Sequence, residues 1–227
     1  WNQATASGTT FSASLNLGSA DNTGSFDVQV RDGSGNPGAT RNQTYRLDTT
    51  PEGVTISTFA LSADTGVSNV DLITSSASQT ISGTLSRALA AGESVWYSLN
   101  GGTWTQASAT TNSSAWSVSG ITLSSLSAGV NTMAVRHQDI AGNFDPAGIS
   151  TRTITLDTAA PTLSSLVLAS GGSDNGYGVG DVVNVTATFS ENVLITGTPR
   201  VALNVGGVTK YATYSAGNNS ETLTFSY

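Results

Sequence analysis

Short runs of alternating apolar and polar residues fill most of the chain, broken by clusters of Gly, Asn, Asp and Ser. The breaks fall at roughly 8–12 residue spacing, the mark of an all-β sandwich or barrel. A period of two sends successive side chains to opposite faces, so each run reads as a half-buried strand. No segment carries a helical stripe, and the nearest candidate, Ala88-Leu89-Ala90-Ala91, is short enough to read as a loop. Between residues 50 and 158 the pattern predicts seven strands: Val54–Ala60, Gln79–Leu85, Ser94–Leu99, Trp104–Ala107, Trp116–Leu123, Thr132–His137 and Thr151–Leu156. Asn100-Gly101-Gly102 separates the third from the fourth, and Asn and Gly accept the positive φ of a tight hairpin turn. Seven strands over this length predict an immunoglobulin-like β-sandwich.

The string Leu47-Asp48-Thr49-Thr50-Pro51 returns 109 residues later as Leu156-Asp157-Thr158-Ala159-Ala160-Pro161. That recurrence sets the period of a tandem repeat and places a junction at each copy. Residues 1–49 match the C-terminal half of the repeat at 50–158. Trp1 aligns with Trp104, Phe11 with Trp116, and Phe26-x-Val28-x-Val30-x-Asp32 with Met133-x-Val135-x-His137-x-Asp139. Asp32-Gly33-Ser34-Gly35-Asn36 likewise matches Asp139-Ile140-Ala141-Gly142-Asn143. Residues 159–227 open a different variety, with Tyr177-Gly178-Val179-Gly180-Asp181, Gly197-Thr198-Pro199 and alternating runs ending at Leu223-x-Phe225-x-Tyr227. The expected organisation is therefore all-β: tandem Ig-like sandwich repeats, one complete (50–158) and two partial (1–49 and 159–227). On this reading the chain starts and stops inside repeats, and the cut sheets present apolar edges prone to aggregation.

Charge narrows the partners. The net charge is −7 and the pI about 4.4, so the basic surface that nucleic acid requires is missing. No run approaches the roughly 18 apolar residues of a membrane span, so no membrane insertion is expected of this segment. Cysteine is absent, which removes disulfides and thiolate metal sites and mildly favours a bacterial surface protein or a cytosolic one. Of the acidic residues eleven are Asp and four are Glu. Asp serves both as a turn residue and as an oxygen ligand for hard cations.

Six motifs then stand in order: Asp64-Thr65-Gly66, Asp71-Leu72-Ile73-Thr74, Ile81-Ser82-Gly83-Thr84-Leu85, Ser98-Leu99-Asn100-Gly101-Gly102-x-Trp104, Asp139-x-Ala141-Gly142-Asn143 and Leu156-Asp157-Thr158. Together they resemble the bacterial Ig-like repeats of giant surface adhesins and biofilm proteins, often RTX-type. The segment from 159 resembles a second variety of such repeat, with Tyr177-x-Val179-Gly180-Asp181, Phe189-Ser190-Glu191 and Gly197-Thr198-Pro199. The resemblance implies an extracellular stalk on the bacterial cell surface, stiffened in many members by calcium at the domain junctions.

Sandwich topology says which aspartates can meet. The loop after the first strand and the end of the last strand share the downstream pole, which gathers Asp64, Asp71 and Asp157. The loop after Thr132–His137 lies at the upstream pole, where Asp48 arrives from the preceding repeat to meet Asp139 and Asn143. Two candidate Ca²⁺ sites follow, since Ca²⁺ takes six to eight oxygens and clustered carboxylates repel without a cation. Asp32 and Asn36 would serve a junction before residue 1, and Asp174 and Asp181 one beyond 227. The plain alternative for every one of these is turn chemistry, with Asp side chains accepting from loop amides. Arg46, Arg152 and Arg200 stand near the junctions as possible ion-pair donors.

Trp96, Trp104 and Trp116 crowd into one repeat and read as sandwich core plus one exposed ring. Trp96 and Tyr97 are adjacent in one strand, so one of them faces outward and offers a sugar-stacking surface. Catalytic chemistry finds no support. His137 is the only histidine, at a position held by Val30 in the first copy, and Glu52, Glu93, Glu191 and Glu221 fall on separate loops or strand ends. The expected role is a non-enzymatic extender of an adhesin in cell adhesion or biofilm formation, with neighbouring repeats as partners and Ca²⁺ as structural ion. The second reading is a carbohydrate-binding Ig-like accessory module of a secreted enzyme or phage tail protein, with surface polysaccharide as partner.

Overall fold

A computed structural model of the chain describes residues 2–65, 68–125, 129–169 and 176–227. It divides into two compact units, Trp1–Asp157 and Thr158–Tyr227.

The first unit opens with two hairpins. β1 (Thr5–Ser7) pairs with β2 (Thr10–Ser12), and β3 (Asn22–Val28) pairs antiparallel with β4 (Arg41–Leu47). No described side chain between residues 2 and 48 is buried. The period of two survives in β3, whose alternate residues are half-buried, but no second sheet closes over them. Phe11, the sequence counterpart of Trp116, is accordingly 58% exposed.

The sandwich follows. Its strands are β5 (Ile56–Leu61), β6 (Ile73–Thr74), β7 (Ser78–Leu85), β8 (Ser94–Leu99), β9 (Thr105–Gln106), β10 (Ser108–Ala109), β11 (Ala115–Thr122), β12 (Val130–Gln138) and β13 (Ser150–Leu156). One sheet runs β10-β11-β7-β5 and the other β6-β13-β12-β8-β9. Every pairing is antiparallel except β6 with β13, where the chain crosses from the first sheet and lies parallel to the last strand. The predicted Trp104–Ala107 strand is in fact two. Ala107 is buried between them, and the chain changes sheets there, leaving β9 on β8 and β10 on β11.

Inward residues alternate along the strands and fill the space between sheets: Ile81, Val95, Trp116, Met133, Val135 and Ile154 are all nearly inaccessible. The Trp116 ring packs on Phe59, with centroids 5.8 Å apart. Gly83 makes that approach feasible, because a Cβ there would collide with the Thr58 carbonyl and the Trp116 ring. Asn100 and Gly101 both take positive φ, and Gly102 N donates to Leu99 O at 2.9 Å, closing the expected hairpin turn. Leu89, inside the Ala-rich loop, turns inward and caps the core.

Two buried amides tie loops to this core. Asn131 accepts from Ser124 N and Asn100 Nδ2 and donates to the Ser124 and Gly129 carbonyls. Gln79 accepts from Ser62 Oγ and Ala63 N and donates to Ala63 O, Thr74 Oγ1 and Ser76 O. Satisfied this fully, a buried amide adds order at little desolvation cost.

The second unit is one antiparallel sheet. β14 (Leu163–Leu168), β15 (Asn184–Val193), β16 (Arg200–Val205), β17 (Val208–Ala216) and β18 (Ser220–Ser226) stand in the order β14-β15-β18-β17-β16. Val185, Ala187, Ala212, Leu223 and Phe225 share its buried cluster, with Tyr214 edge-on to Phe225. β14 is an edge strand exposed along its whole length, with Leu163, Leu166, Val167 and Leu168 apolar, whereas the last strand, β18, lies inside the sheet rather than at the edge expected there.

Candidate functional site

β12 ends at Gln138, and the next five residues close a loop on one carboxylate. Asp139 Oδ1 accepts from Ala141 N (2.9 Å) and Asn143 N (2.8 Å), and Oδ2 accepts from Asn143 Nδ2 (3.0 Å). Asp139 N donates back to Asn143 O, and Gln138 Nε2 donates to Gly142 O. Gly142 supplies the positive φ that this reversal needs. The Asn143 amide then reaches out of the loop and donates to Asp48 O at 3.0 Å. Topology therefore does bring Asp48, Asp139 and Asn143 together, with the amide of Asn143 as the link.

The same loop stands at Asp32–Asn36. Asp32 Oδ1 accepts from Ser34 N and Asn36 N, Oδ2 accepts from Asn36 Nδ2, and Asp32 N donates to Asn36 O. Arg31 Nη1 takes the place of Gln138 and donates to Gly35 O. The Asn36 amide, followed by the two loop amides, holds the exposed Asp32 carboxyl below the usual aspartate range.

The Leu47-Asp48-Thr49 segment is gripped from its own side as well. Asp21 Oδ1 accepts from Thr49 N (2.6 Å) and Thr49 Oγ1 (2.7 Å), and the Thr49 hydroxyl first, then its amide, lower the Asp21 pKa. Arg46 pairs with Asp48 at 2.9 Å. Sequence reading missed Asp21. The signal lay in strand register, since the Asn22–Leu47 pairing sets Asp21 beside the recurring string. Of the other two arginines, Arg152 donates to Thr151 O and Arg200 stacks on Tyr211.

At the downstream pole, Asp64 Oδ2 accepts from Leu72 N (3.1 Å), while Asp71 accepts from Ile73 N and Ser68 N. Thr155 N donates to Leu72 O and Asp157 N to Thr74 O, so all three aspartates lie at one end of the sandwich. Leu72 holds φ +63°, a left-handed conformation that costs a bulky residue about 1 kcal/mol or more. Asp64 Oδ1 is enclosed and has no hydrogen-bond donor among the described residues. Gly66, within the same loop, lies outside the described residues, as do Trp1 and Asp174. Asp181 accepts from Gly178 N at 2.6 Å.

These geometries differ in their fit to a cation. Both oxygens of Asp139 accept from N–H groups of their own loop, and Asp48 pairs with Arg46. At the downstream pole the enclosed Asp64 oxygen is compatible with a hard cation. The described residues contain no group of three or more His, Asp or Glu side chains placed to hold a metal.

Two further clusters lie on the sandwich. Glu52 and Glu93, expected on separate loops, converge on Arg87: Glu93 takes a bidentate contact at 2.6 and 2.7 Å, and Glu52 lies 3.6 Å away. The Arg87 bonds are the main cause that draws the Glu93 pKa down to about 2. His137 is buried with Nε2 3.5 Å from Glu93 Oε2, a position inside the core rather than in a cleft. Trp116 is core, Tyr97 packs against the core, and Trp96 faces outward with Nε1 on Ser94 Oγ. Trp104 is outward too, against Arg136, so two rings rather than one leave the core.

Two antiparallel sheets in this order, with a first strand split between them and joints built on capped turns, define an Ig-like sandwich repeat. Residues 50–158 match the family model of the bacterial Ig-like domain. It is also similar to a chain solved for structural insight into host cell surface retention of a 1.5-MDa bacterial ice-binding adhesin. The identity is 25% and the TM-score 0.37, over 92% of this chain and 64% of that one. No curated protein matches in sequence. No helix among the described residues is long and apolar enough to cross a membrane.

Proposed function

We propose that this chain is an extender segment of a bacterial cell-surface adhesin, a non-enzymatic spacer on the outside of the cell that serves adhesion and biofilm formation. The observation that carries the reading is the grip on the Leu47-Asp48-Thr49 junction. Asp21 holds it from the preceding hairpin and Asn143 from the following sandwich. Such contacts limit the swing between consecutive repeats, and in an array each joint adds to the stiffness of the whole. The bacterial Ig-like family of residues 50–158 and the 109-residue recurrence support the same role.

Calcium belongs to this proposal at the downstream pole, where the enclosed Asp64 Oδ1 has no donor among the described residues and Asp71 and Asp157 share the same end. At the upstream joint the link is instead the Asn143 amide, which joins Asp139 to the Asp48 carbonyl. An antibody raised against the chain is expected to label intact, unpermeabilised cells of the source bacterium. Labelling only after lysis overturns the extender. For calcium, the melting temperature is expected to fall on chelation and recover on adding Ca²⁺. An unchanged melting temperature with no calcium by elemental analysis overturns that part alone.

A further inference from the structure

Arg136 lies on the outward face of β12, between the inward residues Val135 and His137. Its guanidinium carbon sits 3.8 Å from the Phe144 ring centroid and 4.3 Å from that of Trp104. Ring stacking occupies the faces of a planar cation and leaves its N–H edge for in-plane acceptors. Among the described residues no carboxylate is within ion-pair distance of Arg136, and its Nε is enclosed without an acceptor. Acceptors are not scarce in this chain, which has fifteen carboxylates to eight Lys and Arg. Arg46 and Arg87 each have a carboxylate; Arg136 instead has two rings.

Trp96 lies directly across from Arg136 in the β12–β8 pairing, on the same outward face and partly exposed. Gln106 lies across from Trp96 on β9 and adds an exposed amide. The surface thus sets a partly exposed indole beside a guanidinium that has no carboxylate partner among the described residues. An indole face takes the C–H face of a sugar ring, and a guanidinium edge takes a carboxylate with two parallel hydrogen bonds. A uronic acid carries both features on one ring. A neutral sugar leaves the cation without its acceptor, and an acidic peptide leaves the indole face without its ring.

We propose that the outer face of β9, β8 and β12, built on Arg136, Trp96 and Trp104, binds uronic acid residues of an acidic polysaccharide. The site is independent of the extender reading, since it needs only the sandwich at residues 50–158.

The test is calorimetric titration of the full chain with tri-galacturonate, its methyl ester and a short poly-aspartate. The chain's net charge of −7 opposes any diffuse attraction for a polyanion, so binding reports a local site. Tri-galacturonate is expected to bind, with the methyl ester weaker by about tenfold or more. Arg136→Gln should remove binding, and Arg136→Lys should weaken it by losing the bidentate fork. Trp96→Ala leaves the cation's own cage intact, so it tests the sugar face even if Arg136→Gln fails to fold. Absence of binding at millimolar ligand, equal affinity for the methyl ester, or unaltered binding by Trp96→Ala overturns the proposal. Poly-aspartate binding as tightly as tri-galacturonate overturns it in favour of an acidic peptide.

Discussion

The Asn143 side chain donates to the carbonyl of Asp48, 95 residues earlier, at 3.0 Å while donating to Asp139 at the same distance. One amide therefore closes its own loop and fastens the previous repeat. Asn143→Ala removes both bonds and should cost about 1–2 kcal/mol, read from denaturant unfolding of the chain. Asn36→Ala is the internal control. Its loop is exposed and carries no strand end, so its cost should stay within about 0.5 kcal/mol.

Trp116 fills the centre of the sandwich at 2% exposure, yet its buried Nε1 has no acceptor among the described residues. Trp116→Ala should cost about 3–5 kcal/mol through the cavity it leaves. Trp116→Phe should cost distinctly less, because the ring contact with Phe59 remains and an unsatisfied N–H disappears. Comparing the two midpoints in urea checks the ordering.

Asn131 makes four hydrogen bonds while wholly buried. Asn131→Leu keeps the branching and heavy-atom count but removes the bonds to the Ser124 amide and carbonyl, and should destabilise the first unit by about 3 kcal/mol. Thermal unfolding followed by near-ultraviolet dichroism reads this directly.

Acid should weaken the same unit through Glu93. Its carboxyl has a pKa of about 2 in the fold against an ordinary 4.5. A folded pKa below the unfolded one means the unfolded chain takes up the proton first as pH falls. The stabilisation is complete above the unfolded value and is lost on descent through the folded one. Unfolding free energy is expected to decline between pH 4.5 and about 2, and Glu93→Gln should flatten that decline. An identical slope in the variant would remove Glu93 as the cause.

The alternation of Thr132–His137 and its neighbours was enough to place six of the seven predicted strands, because burial on one face leaves a period of two in the residues themselves. The recurrence of Leu-Asp-Thr was enough to place Asp48 near Asp139 and Asn143, since chain order in an Ig-like sandwich decides which loops share a pole. What Asp139 does with its oxygens was not legible. A carboxylate that caps loop amides and one that holds a cation look alike in a sequence, and the capping shows only in the positions of Ala141 N and Asn143 Nδ2. Glu52, Arg87 and Glu93 were hidden for a different reason: long side chains meet across loops at distances that spacing does not encode. The break at Ala107 escaped because a run of four residues fits one strand as well as two, and the change of sheet is a tertiary event.

The Asp32–Asn36 loop closes with the same hydrogen bonds as Asp139–Asn143, although among the described residues no carbonyl from another repeat rests on it. Its shape therefore does not depend on a guest. A joint made from such a loop is a latch fitted to a finished frame, so little conformational entropy is surrendered when it engages. Under mechanical load it is also the part that yields first: the contact between Asn143 and Asp48 can part and re-form while the sandwich behind it stays folded.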